Sequence, residues 1–201
     1  MSTGVGSREP SAPSTRRRRL PTPDEGTHAG APSLTESDLA KFEALTLPHL
    51  DAAYTLARYL LRDPHDAEDA VQEAYLRALK YFGTYRGGDP KAWILAIVRN
   101  TCKSRTGRRV DGQTEPFEDE LHSPETISAD ALALESEAKE TVREALDVLP
   151  AEFREVIVLR EIQGLSYQEI ADIVQAPIGT VMSRLSRGRA RLEKTIKAGR
   201  S

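Results

Sequence analysis

The side chains that offer the most chemistry lie on one stripe near the carboxyl end of the chain. Hydroxyl and guanidinium groups recur there at positions i, i+3, i+4, i+7 and i+11, and they belong to Thr180, Ser183, Arg184, Arg187 and Arg191. Arginine can pair with both acceptors of a guanine edge in the major groove, and serine and threonine hydroxyls suit phosphates or base edges. The stripe therefore predicts hydrogen-bonding contact with duplex DNA rather than the making or breaking of bonds.

The residues around this stripe predict a helix-turn-helix over 166–191. Ser166 and Glu169 form a capping box that opens a short helix. Pro177 prevents that helix from continuing, and Thr180 is predicted to cap the next one. The apolar positions of the second helix, which must face the core, are Val181, Leu185 and Leu192. A terminal helix that displays arginine only for solubility is the simpler alternative, but cap, turn, apolar face and basic face all agree with a helix-turn-helix.

A second candidate site combines aromatic rings with positive charge in the first half of the chain. The rings belong to Tyr81, Phe82, Tyr85 and Trp93, and the segment 99–109 that follows carries five basic residues and no acidic one. Rings that stack on bases, next to a basic track for phosphates, are what binding of single-stranded DNA requires. Phe82 and Trp93 also fit the apolar stripes of their helices. A place in the core is therefore the alternative for those two, and both roles stay open for Tyr81 and Tyr85.

The composition fits one or two small domains. The chain has 201 residues, of which 39% are hydrophobic and 29% are charged, with a formal net charge of −3. Positive charge is concentrated in 99–109 and in the last 22 residues, whereas 111–125 has six acids and no lysine or arginine. Cys102 is the one cysteine, so no disulfide framework is expected, and no apolar run reaches the roughly 18 residues that cross a membrane. We expect a cytoplasmic protein without membrane insertion, metal or cofactor.

The apolar pattern predicts an all-α fold of two small helical domains, because no segment alternates long enough for a strand. The expected order is a disordered tail, a first domain, a flexible acidic linker and a second domain with the helix-turn-helix, at residues 1–34, 35–106, 107–127 and 128–201. Two helices of the first domain should start at Asp63–Pro64 and Asp89–Pro90, where a capping side chain precedes a proline. Pro48 should break or kink an earlier helix or lie in the first turn of a new one, and Gly107 should end the last helix.

Two other classes of protein are alternatives to a protein that binds both duplex and single-stranded DNA. A helix-turn-helix regulator that binds duplex operators as a dimer explains the second domain equally well, but it does not explain the aromatic residues beside the first basic segment. An enzyme has no support, because the sequence has no metal-ligand spacing, glycine-rich phosphate loop or nucleophile elbow. Its four histidines are scattered along the chain.

Two longer stretches, Phe42–Arg109 and Ala145–Leu192, carry a more specific signal. Their most telling pieces are DPHDAEDAVQE at 63–73, WILAIVRN at 93–100, GLSYQEIA at 164–171 and GTVMSRLSRGR at 179–189. The two stretches resemble regions 2 and 4 of the extracytoplasmic-function (ECF) sigma factors of bacterial RNA polymerase. Together they cover well over half of the chain, and the presence of both in this order is far more specific than a helix-turn-helix alone.

The resemblance implies an alternative sigma factor, which binds core RNA polymerase and directs promoter recognition, DNA melting and transcription initiation under the control of an anti-sigma factor. Region 2 would dock on the clamp helices of the β′ subunit through an acidic face made of Asp66, Asp69, Gln72 and Glu73. The minus-ten element would be melted and read by Tyr81, Tyr85, Trp93, Arg99, Asn100, Lys103 and Arg105, and Asn100 aligns with a position that contacts a flipped-out base. Region 4 would dock on the β flap and read the minus-thirty-five element of promoter DNA through Thr180, Ser183, Arg184, Arg187 and Arg191.

Two residues depart from the usual family pattern. Met182 stands where lysine is frequent, and Gly188 stands where alanine is frequent. A glycine lowers the helix propensity by up to about 1 kcal/mol, so the basic end of the helix beyond Gly188 is expected to fray until DNA binds.

The length of the linker predicts that the isolated chain binds promoter DNA weakly. The 22 residues 106–127 span roughly 26 Å as a flexible coil and about 73 Å when stretched, whereas the two promoter elements lie two DNA turns apart, roughly 70 Å. Without polymerase to separate them, the two domains should rarely hold both elements at once. Gel-shift titration of duplex promoter DNA checks this, and tight sequence-specific binding in the absence of polymerase would contradict it.

Overall fold

The computed structural model describes residues 35–111, with side chains as far as 107, and residues 141–199. Every regular element in these two ranges is a helix or a helical turn, which confirms the all-α prediction. The predicted tail at 1–34 and most of the predicted linker lie outside the described residues, as does the start of the second domain.

The first half contains four α-helices. They are α1 (Glu36–Thr46), α2 (Leu50–Leu61), α3 (Pro64–Lys80) and α4 (Pro90–Asp111), with short 3-10 turns at Leu47–His49 and Phe82–Thr84. Both predicted starts with a cap and a proline are confirmed, because the Asp63 side chain accepts a hydrogen bond from the Asp66 amide at 2.7 Å and the Asp89 side chain accepts one from the Lys91 amide at 2.9 Å. Pro48 lies in the turn between α1 and α2, as predicted.

The predicted end of α4 at Gly107 is wrong, since the helix continues to Asp111. Gly87, Gly88 and Gly164 have the positive φ that ends or reverses a helix, whereas Gly107 does not. A glycine with ordinary helical φ only weakens a helix and does not stop it.

The second half contains the predicted helix-turn-helix. Its elements are α5 (141–147), α6 (Ala151–Ile157), a π-helical turn (Val158–Ile162), α7 (Tyr167–Val174) and α8 (Ile178–Gly199). The capping box of α7 is confirmed, with Ser166 Oγ accepting from the Glu169 amide at 3.2 Å and Glu169 Oε2 accepting from the Ser166 amide at 2.7 Å. Thr180 does not cap α8, because the Pro177 carbonyl already accepts from the Thr180 amide at 2.8 Å inside the first turn.

Helix α4 lies at the centre of the fold. All eight residues from Ala92 to Arg99 are buried, and a helix that is buried all round needs cover on every side. In the first half α2 and α3 pack on it, and from the second half α7 does. The second half also packs its α6 against α2, so the two halves form one closed body around α4.

Gly188 is a packing residue that lets α8 approach α6 closely. A Cβ atom at this position would lie 2.7 Å from Ile157 Cδ1 and 3.3 Å from Phe153 Cβ. The expectation that the helix frays beyond this glycine is wrong for the free chain, because α8 continues unbroken to Gly199. The close contact between α8 and α6 leaves no room for a side chain at position 188, and the low helix propensity of glycine comes with that requirement.

Replacement of Gly188 by valine should destabilise the chain even though valine is the better helix former. Overpacking a tight contact costs about 1–3 kcal/mol in the free energy of unfolding, which exceeds the gain in propensity. Urea denaturation followed by circular dichroism measures this. Gly179→Ala is the matched control, since nothing lies within 4 Å of a Cβ there. A Gly188→Val variant as stable as the parent would contradict the packing role.

Candidate DNA and polymerase interfaces

The rotation of α8 about its axis is set by its buried residues. Val181 and Leu185 are 0% and 1% exposed, and Gly188 is buried between them and the end of the helix. Successive residues turn by 100°, so the opposite side of the helix is fixed as well. We call this side the outward face, and its exposed residues in the first turns are Gly179, Met182, Ser183, Ser186 and Arg187.

The predicted hydrogen-bonding stripe is split by this rotation. Ser183 and Arg187 lie exposed on the outward face, and Thr180 is half-buried in the first turn. Two arginines are held by α6: Arg184 pairs with Glu152 at 3.1 Å, and the Arg191 guanidinium lies 5.0 Å from the centre of the Phe153 ring. Arg184 and Arg191 therefore lie beside the outward face, where α6 holds them, and do not form its centre.

Sequence reasoning missed Ser186 as a member of this face and treated Met182 only as a departure from the family. Met182 is 52% exposed and carries an apolar group into a surface of hydroxyl and guanidinium groups. The signal for Ser186 was present in the spacing, since this residue lies away from Val181, Leu185 and Leu192 on a helical wheel, whereas Met182 lies at the edge of the outward face. Following the series i, i+3, i+4, i+7 and i+11 from Thr180 displaced the predicted stripe toward α6.

The aromatic cluster of the first half is largely packed into the fold. Trp93 is 4% exposed and its ring lies 5.0 Å from that of Tyr85, which in turn stacks on Phe82 at 6.1 Å. The Tyr85 hydroxyl donates to the Gly88 carbonyl at 2.8 Å, and burial, aided by the charge of Asp89, raises the Tyr85 pKa. Tyr81 is half-buried outside this stack, with Lys80 Nζ 5.5 Å from its ring.

The four polar residues assigned to the minus-ten element have different surroundings. Arg99 is buried and pairs with Glu155 of α6 at 2.5 Å, and its Nη1 donates to the Asn100 side chain at 3.2 Å. Lys103 is exposed on α4. Arg105 turns away from these residues and toward α3. The structure therefore leaves Lys103 open to solvent and places Arg99 inside the body.

Arg105 joins the acidic face that was predicted to bind polymerase. Its guanidinium lies 3.5 Å from Asp66, 3.3 Å from Asp69 and 3.5 Å from Glu73. Gln72 is exposed on the same helix, and so is Leu76, which is 69% exposed one turn further on. The sequence reading missed Leu76 because it searched this face for acidic residues. Carboxylates beside an exposed leucine suit a partner surface that is basic and partly apolar.

Cys102 is buried within α4 at 1% exposure. Burial is the main cause that raises its pKa to about 12, and the positive charge of Arg105 opposes it. A thiol reacts as its thiolate, so this cysteine is inert in the folded chain at neutral pH.

The described residues contain no group of three or more potential metal ligands. Among the helices in that part of the chain, none is both long and apolar enough to cross a membrane.

Two family models match the chain over most of its described length. The model of Sigma-70 region 2 matches residues 45–110, and the model of Sigma-70 region 4 matches residues 139–192. The first match contains the acidic face and the aromatic cluster, and the second contains the helix-turn-helix. Fold and sites thus define a two-region promoter-recognition protein of the sigma-70 type.

Similar proteins of known function show to which group of sigma factors the chain belongs. The sigma-H factor of Pseudomonas aeruginosa is 32% identical over 170 residues, which cover 80% of this chain and 88% of the relative. The ECF sigma-E factor of Escherichia coli K12 is 35% identical over 142 residues, which cover 66% of this chain and 74% of the relative. The chain belongs to the extracytoplasmic-function sigma factors of bacterial RNA polymerase.

Solved structures agree with this family. The sigma factor RpoE of Bartonella quintana, crystallised with the anti-sigma factor NepR, has a TM-score of 0.66 at 30% identity, over 78% of this chain and 97% of that chain. CnrH in complex with the cytosolic domain of CnrY has a TM-score of 0.56 at 25% identity, over 80% of this chain and 90% of that chain.

The buried thiol predicts slow chemical labelling of the native chain. Cys102 is the one cysteine of the sequence, so the colour change with a disulfide reagent such as DTNB reports on it alone. At pH 8 we expect labelling at least about tenfold slower in the native chain than in denaturant, because both burial and the raised pKa suppress the thiolate. Native labelling as fast as that of the unfolded chain would contradict the burial.

Burial of the thiol also links stability to alkaline pH. The folded pKa of Cys102 lies above the unfolded value, so its neutral form is favoured by folding. This contribution is present below the unfolded pKa of 9.0 and is lost as the pH rises toward about 12. A Cys102→Ser variant should lack this part of the alkaline loss.

Proposed function

We propose that this sigma factor carries out initiation with three separate surfaces and without a catalytic step of its own. The observation that supports this most strongly is that both region matches fall on faces with the chemistry that each step requires. The outward face of α8 supports duplex reading, the end of α4 supports strand binding, and the acidic face of α3 supports docking on polymerase. The chain would act in the cytoplasm, where core polymerase is found.

The outward face of α8 would enter the major groove at the minus-thirty-five element. Arg187 lies near its centre and is suited to pair with a guanine, and Ser183 is suited to a base edge or phosphate. Met182 would add apolar contact with a thymine methyl group. Thr180, Arg184 and Arg191 flank this face, so they would position the helix through phosphates, which fix register without reading sequence.

The minus-ten element would be bound along α4 and the aromatic turn before it. Lys103 is exposed there for a phosphate, and Asn100 is half-buried beside it for a flipped-out base. Tyr81 and Tyr85 would stack on bases, with Trp93 supporting Tyr85 from beneath. Arg99 and Arg105 would reach the strand only after they leave their present carboxylate partners.

Two protein partners are proposed. The acidic face of α3, extended by Leu76, would bind the clamp helices of the β′ subunit, and region 4 would bind the β flap. An anti-sigma factor would compete for these surfaces. The support for this is the solved structure of RpoE from Bartonella quintana with NepR, a sigma factor of similar fold.

The full function is tested with the purified chain, core RNA polymerase and a pool of promoter fragments. Run-off transcription from specific fragments, with permanganate-reactive thymines near the start site, is the expected result. A helix-turn-helix regulator would instead protect only duplex DNA, would bind it as a dimer and would not bind core polymerase. That outcome would overturn the sigma-factor proposal.

Arg187→Ala should relax base discrimination in the minus-thirty-five element far more than Arg191→Ala. Loss of a bidentate contact to guanine costs about 1–3 kcal/mol and relaxes discrimination at one base pair. Arg191 is the matched control, because the same residue type on the same helix is held against Phe153. Binding of the polymerase holoenzyme to promoters with single changes in the minus-thirty-five element measures both effects. A larger loss of base discrimination with Arg191→Ala would place the reading face toward α6.

Leu76→Ser should weaken binding to core polymerase by about tenfold or more. Burial of a leucine side chain contributes about 1.5–3 kcal/mol, and in the free chain Leu76 is 69% exposed, so its loss should leave the free energy of unfolding unchanged. Leu47→Ser is the control, since Leu47 is 52% exposed outside the acidic face. Fluorescence anisotropy of the labelled chain titrated with core measures the affinity. Equal affinities for the two variants would remove Leu76 from the interface.

A further inference from the structure

A cavity lies between α2 and α5, outside the three surfaces to which the proposed function assigns a role. Its volume is about 210 Å³, and the residues that line it are all half-buried. Four of them belong to α2 and two to α5, and they are Tyr54, Thr55, Arg58, Tyr59, Arg143 and Asp147. One wall of the cavity therefore comes from region 2 and the other from region 4.

The spacing along each helix explains why these side chains share one space. On α2, Tyr54 and Arg58 lie four positions apart, as do Thr55 and Tyr59, so the four form one continuous patch on the helix. The two residues of α5 have the same spacing of four. The buried residues of α2 lie on a different side of that helix, in the core. The patch is thus a polar and aromatic face that is left over after the core has been formed.

Positive charge is concentrated around this cavity. Two arginines and one carboxylate line it, and the buried Arg154 lies directly behind it, where its guanidinium donates to the carbonyls of Tyr59 at 3.0 Å and Asp147 at 3.4 Å. Burial, followed by the charge of Arg62, lowers the Arg154 pKa, and the charge of Asp147 opposes this. Since backbone carbonyls carry no net charge, the charge of Arg154 adds to that of the two lining arginines. The surroundings favour an anion.

The lining groups specify more than an anion. The planar guanidinium groups of Arg58 and Arg143 suit phosphate oxygens, which they can bind through two parallel hydrogen bonds. The two tyrosine rings offer flat apolar faces for an aromatic ring. The Asp147 carboxylate accepts hydrogen bonds from amino or hydroxyl groups. A small molecule that combines phosphates, an aromatic ring and such donors is a nucleotide.

The size of the cavity limits how much of such a molecule it encloses. Cavities that enclose a whole drug-sized ligand measure roughly 300–1,000 Å³, which is more than the volume between α2 and α5. One part of a nucleotide would therefore be enclosed, and the rest would lie along the half-buried side chains at the mouth.

We propose that this cavity is a nucleotide-binding site shared by region 2 and region 4, with the phosphates on Arg58 and Arg143 and the base against the ring of Tyr54. No bond is made or broken in this site. Because its walls belong to different halves of the chain, a bound nucleotide contacts both halves and stabilises the arrangement in which they are packed together. Binding of a nucleotide therefore opposes the separation of the two regions.

Isothermal titration calorimetry of the full chain tests the ligand class. The probes are ADP and GDP, with adenosine and guanosine as the ring without phosphates and pyrophosphate as the anion without a ring. We expect at least one nucleoside diphosphate to bind saturably with a dissociation constant below about 1 mM, and each partial probe to bind at least about tenfold more weakly. No saturable binding of ADP or GDP would overturn the site. Pyrophosphate that binds as tightly as both would overturn the nucleotide and leave a plain anion site.

Two arginine variants test where the nucleotide binds. Arg58→Gln and Arg143→Gln should each weaken binding about tenfold or more, because each removes charge-assisted hydrogen bonds to phosphate. Arg189→Gln is the matched control, since it removes an arginine that pairs with Glu161 elsewhere in region 4, and it should bind like the parent. Full affinity in both cavity variants would place the nucleotide on another surface and overturn the site. Equal weakening in all three variants would indicate general charge attraction and would overturn it as well.

A pair of substitutions at Tyr54 tests the stacking. Tyr54→Phe keeps the ring and should keep the affinity, whereas Tyr54→Ala should weaken binding about tenfold or more. Because Tyr54 also packs against the core, urea denaturation of both variants accompanies the titrations. Full affinity in Tyr54→Ala would overturn the stacking, and the arginine variants keep the test decisive if Tyr54→Ala does not fold.

The link to the separation of the halves is tested with core polymerase, and this step rests on the proposed function. With ADP or GDP at about ten times its dissociation constant, the affinity of the labelled chain for core should fall about tenfold, because only the packed arrangement holds the nucleotide. The affinity of Arg58→Gln should not change, which separates this effect from nucleotides bound by the polymerase itself. An unchanged affinity of the parent chain would overturn the link. A chain that binds nucleotide in calorimetry but does not bind core would show instead that the proposed function fails.

Discussion

The burial of a positive charge at the centre of the molecule is the constraint on which the rest of the structure depends. Arg99 lies at the end of eight consecutive buried residues, with its side chain 5% exposed. A buried guanidinium is tolerated only when a carboxylate and further acceptors surround it. Glu155 and the carbonyl end of α7 supply these acceptors, and both come from the other half of the chain. The closed arrangement of the two regions supplies both the burial of this charge and the acceptors that satisfy it.

This arrangement explains how one small chain can present three surfaces without having them interfere. Asp69 and Gln72 of the acidic face are exposed, and so is the outward face of α8. Arg105 lies beside the carboxylates, and Val181 and Leu185 anchor α8 from its buried side. Only the strand-binding end of α4 lies at the boundary between the halves.

The features that could be predicted from the sequence are those decided by neighbours along the chain. The cap at Asp63, the capping box at Ser166 and the turn at Pro48 depend on three or four adjacent residues, and all three are confirmed. The end of α4 was predicted too early because a glycine marks a helix end only when its φ is positive. Gly188 was read as a weak point because its close neighbours, Phe153 and Ile157, lie more than 30 positions earlier in the sequence.

The sites were harder to predict for the same physical reason. The rotation of α8 could be derived from its own apolar positions, and Ser186 could have been included on that ground, whereas the exposure of Met182 is visible only in the structure. By contrast, the partners of Arg99, Arg184 and Arg191 come from α6, and nothing in the local sequence indicates them. Charge complementarity between distant helices becomes visible only in three dimensions.

The central claim is that the free chain is closed and that polymerase opens it. The most direct test is the distance between dyes on region 2 and region 4, measured by energy transfer in the free chain and again after core polymerase is added. The account predicts high transfer in the free chain, and with core a loss of transfer that corresponds to a separation on the order of 70 Å, two turns of promoter DNA. The same high transfer before and after binding of core would contradict it, and so would low transfer in the free chain.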